Sequence, residues 1–146
     1  MKRFVIIFIS LIVGYALYWC ISDYYYKKGR ERCIVGKYKL DIHRTNLGIY
    51  KKKVEKYKGL ILTFNADKTF SLNISVPFMA DTVGTWKVGG MNEWNEIVYH
   101  NDIIDQFGKF DDGDTIIYIN SATPQHSQIN KSDVYKIYFV KMNYIH

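Results

Sequence analysis

The sequence predicts a mainly β domain, an antiparallel up-and-down meander closing into a small barrel or half-barrel, behind one N-terminal hydrophobic helix. Three observations predict it. Residues 4–22 are a run of nineteen without a charge. From residue 59 onward, apolar side chains recur with period two in short segments, cut by clusters of Asn, Asp and Gly. Thirteen tyrosines stand against two prolines, a composition that suits strands. At 146 residues, 48% hydrophobic and 23% charged, the chain has room for one folded domain after that helix.

The uncharged run follows Lys2 and Arg3. As a helix it spans about 28 Å, enough for a bilayer core. Tyr18, Trp19, Tyr24, Tyr25 and Tyr26 fit an interfacial aromatic belt. Three fates compete: an uncleaved anchor, a signal cleaved after Cys20-Ile21-Ser22, and a lipoprotein signal ending at Cys20. Leu17 suits the lipoprotein signal, but Trp19 occupies a position that wants a small residue. The anchor is the preferred reading, so 1–23 is a membrane anchor or signal segment, 24–33 a basic juxtamembrane linker and 34–146 the β domain. Lys2 and Arg3 before the helix nearly balance Lys27, Lys28, Arg30 and Arg32 after it, so the positive-inside rule gives little direction. A short basic leader running straight into an apolar stretch is how exported chains begin. The expectation is a single-pass protein with an extracytoplasmic domain, periplasmic or at the cell surface.

The net charge of +6 is unevenly spread. Residues 24–58 hold twelve Lys/Arg and three acids, a balance of +9, whereas 59–146 balance at −4. The surplus lies beside the helix, which points to membrane lipid headgroups as the partner of Tyr24, Tyr25, Tyr26, Lys27, Lys28, Arg30 and Arg32. Each cation near an anionic surface contributes roughly 1 kcal/mol. A nucleic-acid partner is not expected. Cys20 and Cys33, two cysteines in all, make no disulfide framework.

Within the domain, residues 34–42 alternate, with Tyr38, Leu40 and Ile42 on one face. Leu47, Tyr50, Val54 and Tyr57 then recur at helical spacing, with Asn46 as a cap and Gly59 as a stop. A short amphipathic helix or an irregular connection fits there. Leu60, Leu62 and Phe64 begin the period-two pattern, and Asn65-Ala66-Asp67-Lys68 reads as a hairpin turn. Phe70, Leu72, Ile74 and Val76 alternate with polar residues on the return strand until Pro77. Further strands follow at 83–88, broken by Gly89-Gly90, then at 96–100, 103–110, 115–120 and 134–141. That makes seven or eight strands joined by turns.

Gly36-Lys37-Tyr38 opening a strand, Leu62 to Phe70 around the Asp67 turn, and Gly84-Thr85-Trp86 occur in an order that resembles small bacterial lipocalin-like β domains. The chain is also similar to short uncharacterised membrane-attached bacterial proteins, through Val76-Pro77-Phe78, Glu93-Trp94-Asn95 and Asn120-Ser121-Ala122-Thr123-Pro124. The likeness spans about residues 34–141. It implies a lipocalin-like meander, often exported, and no chemistry to carry over.

No motif proposes catalysis. His43, His100, His126 and His146 form no metal-ligand pair by spacing, and Asp111-Asp112-Gly113-Asp114 reads as a tight turn rather than a calcium loop. Neither a metal nor another cofactor is expected. Trp94 falls in a loop, where it acts either as an interaction anchor or as a plug over an open barrel end. The leading expectation is a non-enzymatic, membrane-anchored binding domain that recognises a protein or envelope partner through its loops, with Trp94, Asn95, Gln125 and His126 as the contact residues. The alternatives are a lipocalin-like carrier of a small apolar ligand and an enzyme whose site is scattered through the sequence. The inward candidates are mostly large: Tyr38, Leu40, Leu62, Phe64, Phe70, Leu72, Ile74, Trp86, Val88, Ile137 and Phe139. They predict a filled interior rather than a container.

Overall fold

An unbroken helix, α1, covers Lys2–Ile34 in the computed structural model, which describes residues 2–45, 55–90, 93–100, 102–110, 116–121 and 135–142. At 1.5 Å per residue it is about 50 Å long. Residues 4–21 are exposed along their whole length, and the helix is long and apolar enough to cross a membrane. Eight strands follow: β1 (Gly36–Leu40), β2 (Ile61–Phe64), β3 (Thr69–Leu72), β4 (Val83–Lys87), β5 (Asn95–Tyr99), β6 (Ile104–Phe110), β7 (Ile116–Ser121) and β8 (Tyr135–Lys141). Each pairs antiparallel with the next, and β8 closes on β1 through Leu40↔Phe139 and Tyr38↔Lys141. The result is a closed, eight-stranded up-and-down barrel behind one apolar helix, the architecture expected from the sequence. Among the described residues, closure pairs every strand on both sides, which is how such sheets avoid edge-to-edge association.

Period-two alternation puts one face of every strand inside. Tyr38, Leu62, Phe64, Phe70, Trp86, Ile97, Phe107, Ile119, Ile137 and Phe139 are all buried in one core. Phe64 is its hub. Its ring stacks on Phe107 at 5.3 Å and meets Trp86 at 5.6 Å and Tyr38 at 5.9 Å edge-on. Trp86 also satisfies its indole N–H, which donates to the Asn65 carbonyl at 3.1 Å. A buried indole needs such a partner. Gly84 pairs with Phe70, and any Cβ there would collide with the Val98 carbonyl and the Phe70 ring. The glycine of the Gly-Thr-Trp segment is therefore fixed by close approach of β5 and of a core ring.

Both ends of the barrel are stopped by the chain itself. At one end Ile34, the last residue of α1, is fully buried among the inward residues. At the other, the connection from β3 to β4 folds back so that Val76, Phe78 and Met79 are buried, with Tyr57 edge-on against Phe78 at 5.3 Å. Trp94 is not a plug. It stands 54% exposed outside the barrel.

Ile74 departs from the sequence expectation. It is 38% exposed rather than inward, because β3 ends at Leu72. The Asn73 side chain ends the ladder: its carbonyl accepts from the Ile61 N–H at 2.7 Å and its amide donates to the Gly59 carbonyl at 2.9 Å. The chain peels away there, and Ile74 turns outward. Residues 55–57 form a short 3-10 turn. The remainder of the expected amphipathic helix and the Asp111–Asp114 turn lie outside the described residues.

Candidate membrane-proximal site

The apolar run ends at Ser22, but α1 does not. It continues through the basic stretch 24–33 and finishes inside the barrel. Two barrel side chains cap its last turn: the Tyr38 hydroxyl donates to the Ile34 carbonyl at 2.7 Å, and Lys141 Nζ donates to the Cys33 carbonyl at 2.9 Å. A helix C-terminus leaves carbonyls without partners and carries partial negative charge, so a phenol and an ammonium answer both. Gly36, at φ 146°, lets the chain turn directly into β1 beneath Lys141. The basic segment is thus a rigid junction.

Along this junction one side of the helix faces the barrel. Asp23, Tyr26, Lys27, Arg30 and Glu31 are half-buried, whereas Tyr24, Tyr25, Lys28 and Arg32 point outward. Partners sit four residues apart, as helix geometry allows. Lys27 pairs with Asp23 at 2.9 Å, Lys28 donates to the Tyr24 hydroxyl at 3.3 Å, and Arg30 donates to the Tyr26 hydroxyl at 2.6 Å. The Asp23 hydrogen bond raises the Lys27 ammonium above its ordinary value, with Glu93 adding to the effect. Lys68, in the turn between β2 and β3, forms an ion pair with Glu31 and lies over the Trp86 ring at 4.5 Å.

Strand parity sorts the loops. In an up-and-down barrel, alternate connections leave the same end. The turn at 65–68 and the β4–β5 connection at 88–94 share the helix end, while 41–45, 73–82, 100–103 and the segment joining β7 to β8 belong to the far end. Trp94 and the segment carrying Gln125 and His126 are therefore attached at opposite ends; Gln125 and His126 lie outside the described residues.

The β4–β5 connection lies against the helix. A Cβ built on Gly90 would sit 2.9 Å from Asp23 Oδ1. An open cleft of about 490 Å³ is lined there by Lys27, Lys87, Glu93, Trp94, Glu96 and Gln106, among others. Its cations are matched, Lys27 by Asp23 and Lys87 by Glu96 at 2.8 Å. The Gly90 N–H donates to Glu93 Oε2 at 2.9 Å and the Glu93 N–H to the Gly90 carbonyl at 3.1 Å. Asn95 is not at the loop surface. It is 4% exposed, and its side-chain carbonyl accepts from the Gly89 N–H at 3.3 Å, so it shapes the loop.

One buried polar pair escaped the sequence reading. The Tyr99 hydroxyl donates to Asp105 Oδ2 at 2.7 Å inside the barrel, where Asp105 is fully buried. Burial pushes the phenol far up, and the Asp105 carboxylate adds to the shift. The readable signal was Asp105 sharing the inward face with Phe107 by alternation. His43 and His100 are exposed, Cys20 and Cys33 are free thiols, and among the described residues no three of His, Cys, Asp and Glu converge to hold a metal ion. No protein-family model, no curated protein and no solved structure matches this chain.

Proposed function

We propose that the chain is a single-pass membrane protein whose lipocalin-like barrel is a non-enzymatic binding module, recognising a protein or envelope partner through the loops at the end remote from its anchor. The filled interior carries this reading. Phe64, Phe107, Trp86 and Tyr38 interlock where a carrier would need empty space, and Ile34 and Phe78 stop the two ends. Ligand pockets of carriers run to several hundred Å³ within such a barrel. Recognition then falls to the outer surface, and the far-end loops are the part that the anchor holds out toward other molecules.

The anchor reading draws support from α1 itself. The helix runs without a break from the apolar run into the barrel, where Tyr38 and Lys141 cap its last turn, so anchor and barrel form one continuous support. The test is a photoreactive residue placed at His43, Asp102 or Gln125 in membranes of the native cell, with Thr85 on the barrel wall as control. The expected result is a discrete adduct from the far-end positions. Equal yields from Thr85 and from every far-end position would contradict it.

A further inference from the structure

We propose that the β4–β5 loop is a lipid-contacting seat, with the Trp94 indole resting in the headgroup layer of the same bilayer that α1 crosses. This rests on the membrane-anchor reading and adds to it a fixed pose for the barrel.

Three observations converge on the loop. The first is height. The uncharged run ends at Ser22, and the barrel's contact with the helix reaches to Asp23, beside Gly90. Ile34, in the barrel's end, lies eleven residues further on, about 16 Å along the axis. The β2–β3 turn meets the helix at Glu31, through Lys68. The β4–β5 loop thus climbs some two turns nearer the bilayer, to the level where the hydrocarbon stops. The interfacial layer is several Å thick on each side, enough to take in a side chain four residues from Gly90.

The second observation is the chemistry at that level. Trp94 is exposed, large and apolar, with one N–H donor, the amphipathic shape enriched at membrane interfaces. Tyr24 and Tyr25 stand exposed on the helix just past Ser22, and Trp19 lies one turn before it. The loop tryptophan extends an aromatic belt that the helix already carries.

The support of Trp94 is the third. Hydrogen bonds tie Gly90 to Glu93 and Gly89 to Asn95 on either side of it, and a Cβ at Gly89 would collide with the Trp94 carbonyl. The junction at Ile34 is capped from two sides. The indole is therefore presented next to the start of β5, from residues that are hydrogen-bonded to Gly89 and Gly90. Because the cleft beside it holds matched charges, the seat depends on the indole rather than on anionic lipid.

The test uses the full-length chain, labelled with fluorotryptophan, in nanodiscs of phosphatidylcholine doped with a nitroxide at a shallow acyl position. Trp19→Phe and Trp94→Phe assign the three tryptophan resonances. The expected result is strong paramagnetic broadening of both Trp19 and Trp94, with the Trp94 effect weakening when the nitroxide is moved to the chain end. Broadening of Trp19 with an unaffected Trp94 would overturn the seat while leaving the anchor intact. If neither responds, the helix is not in the bilayer and both readings fall. A Trp94 signal relaxed only by a nitroxide on a second copy of the chain would give the surface to self-association, and overturns the lipid seat.

Discussion

Phe64→Ala separates a packed barrel from a merely patterned one. Phe64 is buried at the centre of the core and holds contacts with three other rings. Truncating a buried Phe removes its transfer energy and leaves a cavity, about 3–5 kcal/mol together. Each aromatic pair contributes about 0.5–1.5 kcal/mol of what is lost, beyond area alone. A small domain has only about 5–15 kcal/mol of net stability. At about 4–8 °C per kcal/mol, the melting temperature should fall by roughly 12 °C or more. Ile74→Ala is the matched control. Period two alone places Ile74 on the same inward face, yet it is 38% exposed. Its truncation should cost about 1 kcal/mol, well short of the loss at Phe64. The assay is thermal melting of the full chain in detergent, followed by near-ultraviolet circular dichroism. Equal losses from the two variants would refute a core centred on Phe64 and a β3 that ends before Ile74.

Gly84→Ala forces a methyl against the Val98 carbonyl and the Phe70 ring, and should cost about 1–3 kcal/mol in a denaturant titration. Lys141→Met keeps the side-chain stem but removes the ammonium from the Cys33 carbonyl. Amide exchange around residues 33–36 should quicken, with a global loss of about 1 kcal/mol. The Tyr99 phenol sits above its ordinary value of 10.0, so its contribution is complete below that value and is lost as pH rises toward the folded value. Stability should fall by about 1.4 kcal/mol per pH unit above pH 10 from this group, and phenolate absorbance should show one tyrosine ionising only as the barrel opens.

The strands were legible because their inward residues alternate cleanly and their turns carry Asn, Asp and Gly. Of the inward residues expected from the sequence, only Ile74 faces out. The reason is a side chain, Asn73, bonding to backbone at Gly59 and Ile61, which periodicity does not register. The extension of α1 through 24–33 was hidden because the composition changes there while the backbone does not. Lys and Arg are good helix formers, and the Asp23–Lys27, Tyr24–Lys28 and Tyr26–Arg30 pairs reward the helical register. Trp94 and the Gln125–His126 segment looked like one loop surface until closure at eight strands assigned them to opposite ends, since a count of seven would have changed the parity. Asn95 was misplaced by a boundary of one residue: the strand starts at Asn95, and its side chain turns back to hold Gly89.

The claim on which the functional reading depends is that the barrel interior is occupied by its own side chains. Trp86 reports on that interior directly, and the chain has three tryptophans. With Trp19→Phe and Trp94→Phe, the remaining indole is 2% exposed and packed against Phe64. Bromine quenches an indole only on near contact, so titration with a brominated fatty acid asks whether a ligand can reach the core. Trp86 emission should stay unchanged up to saturating fatty acid. Saturable quenching at one-to-one stoichiometry would contradict a filled interior and make the barrel a carrier.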